Sequence, residues 1–591
     1  MKKTNMKYLI YTLISIILIT PLLISLQISH PFALDTQSEL KGLNSSATYT
    51  SLVEIDATDP TKDWAIALAA GVCTGTGSVG DPYVIADHTF DITTGSGLII
   101  ANSRVNFRIE NCTFYNQDDE CSIILYNTTN GIIDDNLMDY LWCPIWIWNC
   151  SQITTTNNDI IDSGHSILIT TSKEVTIESN SINNSVYDAI TLENCIKDCL
   201  INDNVIINGV GIGIWLDNSP FTTITNNLVD TLDYGIICDT GSNHTTITDN
   251  KVYNSQTEGI ILYESHMSIV SENTVINSTS YGLEIDSANE NSITSNDVSN
   301  ALHGIYLTGN SQFNLLQGNQ LHHNTLEGIN SNDAHNNTIT NNNVYENGDE
   351  GLHIVNSDDN IFTSNTIFNN SDEGFIIEGS EENEINDNTI NFNQGMGIYV
   401  YQCTLTNIYG NNIYDNGEYG IDLFNSVSNI VKNNNFNTNN LSGIYLWSGS
   451  NNNLFIGNTV NDNQEHGIYL RNSLNNLITQ NSINNNVNHG IYLDTSDNNF
   501  ITYNTANGND HGVFLDSCND VFVIGNILLN NDVCYNETGL IGNIFEDNIC
   551  HSSQLPPPEM DLSMLLLIIA AVEGVALALF ILIMILKKIK Y

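Results

Sequence analysis

The sequence predicts an all-β fold, a single-stranded parallel β-helix solenoid, on three observations. The first is a returning phrase of glycine followed by alternating apolar residues, as in Gly213-Ile-Trp-Leu, Gly304-Ile-Tyr-Leu, Gly443-Ile-Tyr-Leu and Gly490-Ile-Tyr-Leu. From Gly213 to Gly512 this glycine advances in thirteen steps over 299 residues, a period of about 23, which is solenoid spacing. The second is a companion phrase, Asn-x-Ile-x-x-Asn-x-Ile, seen from Asn383 to Ile390 and from Asn476 to Ile483. The third is the period within each phrase: apolar residues alternate, as Ile444 and Leu446 do around Tyr445, and no repeat carries ten residues of helical periodicity. Strands this short bury an apolar face only when coils stack at about 4.8 Å. About 19 such coils are expected.

Taken in chain order, residues 1–33 read as a secretory signal peptide or an uncleaved anchor, because Lys2, Lys3 and Lys7 precede an apolar run. Residues 34–81 read as an N-terminal linker and cap, with a short helix from Asp63-Trp64 closing the open core. Gly75, Gly77 and Gly80 match a dinucleotide fingerprint by letter, but they lead into a strand rather than a helix, so the segment is a turn. Residues 82–550 are the β-helix, and 551–561 a Pro-rich stalk. Residues 562–586 are apolar apart from Glu573 and are followed by the basic tail 587–591, which reads as a transmembrane helix with a cytoplasmic C-terminus. The expected location is the cell membrane, single-pass, with the β-helix extracellular. Ala570, Gly574 and Ala578 lie at four-residue spacing beside Glu573, a small-residue face on which two spans could form a homodimer.

The formal charge is −52, and six of the 15 basic residues sit in the two terminal segments. A surface so acidic repels nucleic acid and is expected to recruit divalent cations. Twelve cysteines occur. Cys150, Cys195, Cys403 and Cys518 stand in a column of small residues and are expected to be buried thiols. Cys121 and Cys143 are 22 residues apart in one column on adjacent coils, which suits a disulfide.

The glycine and asparagine phrases, from about Gly97 to Asn548, resemble the right-handed parallel β-helix superfamily. More narrowly they resemble the NosD-like group of carbohydrate-binding and sugar-hydrolysis repeats. The resemblance implies a right-handed coil. Its members span lyases, hydrolases, epimerases, adhesins and a copper-maturation accessory protein, so it implies no one activity.

Columns of this sequence become ladders in such a fold. Two residues after glycine stand Tyr445, Tyr469, Tyr492 and Phe514, which with Trp447 form a candidate carbohydrate-binding face. Four after glycine stand Trp447, Arg471, Asp494 and Asp516; of these Arg471, Asp494 and Asp516, with His489, are the candidate catalytic residues. His466, His489 and His511 precede glycine and suit copper or zinc. Glu193, Asp217 and Asp239 share an outward column that suits Ca²⁺, and Glu327, Glu350 and Glu373 form a similar column before glycine. The stretch has few basic residues to neutralise an acidic polysaccharide. The expectation is therefore a membrane-anchored surface protein that binds an external polysaccharide, with a carbohydrate-active enzyme and a metal accessory protein as alternatives.

Overall fold

A computed structural model describes residues 47–539 and 542–550. The signal peptide, the stalk, the membrane span with its homodimer face and the basic tail all lie outside the described residues. Among the described residues no helix is long and apolar enough to cross a membrane.

The chain winds into a right-handed parallel β-solenoid of about 20 turns. A typical turn places a strand in each of three ladders, represented by Ile421–Phe424, Ile430–Lys432 and Asn435–Asn437. The ladders are parallel, with one register shift between Gln117 and Cys121, and Ile444 pairs with Ile468 and Tyr445 with Tyr469 in the first. Stacking begins before residue 82: Ala47–Tyr49 pairs with the strand His88–Asp91, and Val53–Asp56 with Leu98–Ala101. The segment 34–81 therefore supplies part of the solenoid as well as its cap. The cap helix is Trp64–Ala69, with the Asp63 carboxylate accepting the Ile66 N–H at 3.0 Å. Trp64 is buried and stacks on Tyr83 at 4.6 Å.

One apolar column runs the length of the stack, because alternate residues of each strand face inward. Asparagine closes the bends. Asn434 donates its Nδ2 to Asn458 Oδ1 at 3.1 Å and to the Ile408 carbonyl at 2.9 Å, while its backbone N–H meets Asn458 Oδ1 at 3.0 Å. The same bonds recur from Asn204 to Asn526, so a buried amide satisfies backbone that the turn leaves unpaired. Asn433, just before the ladder residue, takes φ of 55°, a left-handed bend that asparagine tolerates.

The repeating glycine has a different cause. Its φ is ordinary, but a Cβ on Gly467 would meet Ile483 Cγ2 at 2.2 Å and the Gly490 carbonyl at 2.6 Å. The first strand starts where it passes closest to the third, which leaves room for little or no side chain; on two earlier turns the position holds Ser166 and Ala189. Gly75 and Gly77, by contrast, have φ of 92° and 78° and form a turn that an antiparallel Thr74–Val84 bridge closes.

Cys150, Cys195, Cys403 and Cys518 are buried free thiols. Cys403 Sγ donates to the Ile377 carbonyl at 3.3 Å, the same kind of bond that Ser426 makes to Val400 one turn on. Cys121 and Cys143 are disulfide-bonded with Cα atoms 4.3 Å apart, and Cys534 is bonded to Cys550.

Candidate functional site

The residues with chemical potential gather along the corner where the third ladder turns into the first. That corner comprises the residue before each glycine and the outward positions of the first strand. Three stretches of it stand out.

Toward the C-terminal end, Tyr445, Tyr469, Tyr492 and Phe514 form a continuous ring stack with centroid distances of 4.8, 4.8 and 5.4 Å, and Tyr419 extends it at 4.7 Å. The spacing is that of the rungs, so each inner ring has both faces covered by its neighbours. What the stack offers outward is edges and hydroxyls rather than the open faces a sugar ring would cover. Trp447 sits beside it, its indole N–H donating to Asp422 Oδ1 at 3.0 Å. Asp422 is buried, and burial pushes its carboxyl up to about 8 against the pull of that bond. Sequence reasoning missed Asp422. Its signal is an acid at a position that neighbouring coils fill with Tyr399 and Tyr445.

Arg471 Nε lies 3.5 Å from Asp494, and Asp494 pairs in register with Asp516. Asp494 accepts from the Thr495 hydroxyl, and Asp516 from the Thr538 and Ser517 hydroxyls. The three histidines are brought together but not equally. His466 and His489 stack at 5.0 Å, and His489 and His511 meet edge-on at 4.7 Å. Burial, then the neighbouring imidazole, lowers His466 to about 3 and His489 to about 4, which keeps both neutral. His466 Nδ1 accepts the His489 backbone N–H, whereas His489 and His511 both turn to Asp510, at 3.3 and 3.0 Å. His489, Asp510 and His511 thus form a ligand-like trio that excludes His466.

In the middle stretch the column holds His303, Glu327, Glu350 and Glu373. Glu327 is buried and accepts from His303; His353 Nδ1 lies 3.5 Å from its other oxygen. These two imidazoles hold Glu327 far below the usual carboxylate range, although burial works against them. Glu350 and Glu373 are pushed the other way, to about 7 and about 8, first by burial and then by the charges of Asp349 and Asp372 respectively. Glu193 and Asp217 are register partners, whereas Asp239 lies past the end of its strand and accepts from the Thr240 N–H at 2.7 Å. Among the described residues, the side-chain groupings close enough to share an ion lie elsewhere.

Toward the N-terminal end the corner opens into a cleft of about 230 Å³ lined by Tyr140, Leu141, Trp142, Asp162, Ser163, Gly164, Val186 and Tyr187. Tyr140, Trp142 and Tyr187 are 67%, 41% and 44% exposed. Trp142 meets Tyr187 edge-on at 5.4 Å, so these rings do not cover one another's faces. His165 stacks on Tyr187 at 5.0 Å and approaches Asp188 at 3.8 Å. Burial raises the carboxyls of Asp188 and, together with the charge of Asp162, of Asp139. The cleft was not legible in the sequence, because Trp142 and Tyr187 share a repeat position only across an intervening turn that carries Gly164 there, and Tyr140 stands at another.

Two family models match the chain. One, described as a right handed beta helix region, matches residues 288–436 and 396–549. The other, described as periplasmic copper-binding protein (NosD), matches residues 75–250 and 213–327. No curated protein matches. Among solved structures the chain is similar to the Dettilon tailspike protein gp208, at 15% identity over 50% of this chain and 59% of that one, with a TM-score of 0.32. It is similar to the periplasmic alginate epimerase AlgG at 13% identity over 85% of each chain, with a TM-score of 0.22. It is also similar to the A-module of the Azotobacter vinelandii mannuronan C-5 epimerase AlgE6, at 14% identity over 78% of this chain and 91% of that one, again with a TM-score of 0.22. The chain thus spans less than two thirds of the tailspike, and the likeness throughout is one of fold.

Proposed function

We propose that this chain, which folds as a right-handed parallel β-solenoid and matches β-helix family models over parts of its length, is a glycan-binding protein displayed at the cell surface. In this reading residues 562–586 anchor it in the membrane and the solenoid stands outside. The observation that carries it is the cleft at Tyr140, Trp142 and Tyr187, where partly exposed aromatic side chains, Tyr187 with one face stacked on His165, line a concavity the size of a sugar ring or two. Asp162 lines it, Asp139 and Asp188 adjoin Tyr140 and Tyr187 in the chain, and no Lys or Arg lines it. That charge disfavours uronates and favours a neutral glycan. The Tyr445–Phe514 stack would add hydrogen-bonding edges further along the same corner.

A glycan array probed with the purified chain tests this. Wild type should bind a neutral glycan, and Trp142→Ala should lose at least tenfold in affinity. Binding that survives Trp142→Ala but fails in Tyr469→Ser/Tyr492→Ser would move the site to the C-terminal stretch. No binding by wild type would refute the reading.

A further inference from the structure

The solenoid sets an Asp-Glu-Gly sequence on two successive turns, at Asp349-Glu350-Gly351 and Asp372-Glu373-Gly374. Ladder register brings the acids of the two turns together at one corner. One carboxylate oxygen from each of Asp349, Glu350 and Asp372 lies within 4.8 Å of the others. Clustered acids are common on a surface this negative and do not make a site.

Glu350 adds an independent observation. It is 9% exposed, and its Oε2 is buried without a hydrogen-bond partner. Leaving such an atom unpaired in the interior is costly. The adjacent acid shows how the fold treats a buried carboxylate it means to satisfy: Glu327 receives both His303 and His353. Glu350 Oε2 receives no such hydrogen bond, although His353 and Glu327 lie as close to its carboxylate as Asp349 and Asp372 do.

We propose that Asp349, Glu350 and Asp372 bind a calcium ion, with Glu373 at its edge. Three carboxylates are an all-oxygen donor set, which a hard divalent cation prefers. Asp349 is half-buried and Asp372 exposed, so one side of the ion remains open to water. Calcium accepts an irregular shell completed by solvent, whereas magnesium demands near-octahedral geometry. The ion would cross-link two turns through side chains that otherwise repel. The site differs from the Glu193–Asp217–Asp239 column, and from the Glu327–Glu350–Glu373 column it takes Glu350 and Glu373 while adding Asp349 and Asp372.

The test is isothermal titration of CaCl₂ into the purified full chain in about 150 mM NaCl, which screens diffuse attraction. Thermal melts with and without Ca²⁺ run alongside. Wild type should show saturable binding and a higher melting temperature with Ca²⁺. Glu350→Gln should lose both, Asp372→Asn should weaken binding about tenfold, and Asp217→Asn should behave as wild type. If Glu350→Gln fails to fold, the exposed Asp372→Asn decides. Absence of saturable binding by wild type would overturn the proposal. So would wild-type affinity in Glu350→Gln or Asp372→Asn, or loss of binding in Asp217→Asn.

Discussion

At the scale of single residues, the repeat is held by groups whose neighbours leave them no choice. A methyl at Gly467 would press on Ile483 and on the Gly490 carbonyl. The latter is backbone that cannot retreat without disturbing the next rung. Gly467→Ala should therefore lower stability by about 1–3 kcal/mol, the usual cost of overpacking, read as a lower melting temperature. Asp422 makes a pH-dependent contribution. Its carboxyl rises from 3.8 in the unfolded chain to about 8 in the fold, so between those values the folded state holds a proton that the unfolded state has lost. Stability consequently falls as pH rises from about 4 to about 8 and levels off above. Asp422→Asn removes that term. The melting-temperature gap between variant and wild type should shift in favour of the variant as pH increases from 5 to 8; a gap constant across that range would place the carboxyl in an ordinary environment.

At the scale of elements, a ladder makes each side chain part of a column, and removing one member injures two neighbours. Tyr469 lies between Tyr445 and Tyr492 at 4.8 Å on either side. Two ring contacts at about 0.5–1.5 kcal/mol each make Tyr469→Ser destabilising by about 1–3 kcal/mol, with loss of near-ultraviolet dichroism. Phe514→Ser, at the end of the stack with one such partner ring among its column neighbours, should cost less. The Cys121–Cys143 bond closes a loop spanning 22 residues between adjacent turns. Replacing both by serine should cost about 3 kcal/mol by loop entropy, seen by comparing melts of the variant and the oxidised wild type. The repeat period made this pair legible. The Cys534–Cys550 pair, 16 residues apart, does not follow the period and gave no such signal.

At the scale of the whole molecule, the chain carries a formal charge of −52, and nearly all of its acids fall within the solenoid. Self-repulsion of this kind is screened by salt, so the melting temperature should rise between about 10 and 200 mM NaCl. A flat response would mean that the acids are already compensated within the fold. Residues 562–586, if they anchor the chain, should hold it in the membrane fraction until detergent is added, and removal of 562–591 should release it.

The sequence by itself determined the period, the strand character, the buried cysteine column and the register, because a solenoid repeats its contacts at a fixed interval and a column of letters is already a column in space. It also placed His489 beside His511 and Arg471 beside Asp494. Only the tertiary structure decided which way each column is satisfied. Tyrosines spaced one rung apart cover each other's faces; His466 turns to backbone while its neighbours turn to Asp510; Glu327 is paired and Glu350 is not. It alone assembled the Tyr140–Trp142–Tyr187 cleft. The physical reason is that register fixes which residues are adjacent, whereas burial and hydrogen-bond partners depend on how three differently spaced strands meet at a corner, and that meeting has no one-letter signature.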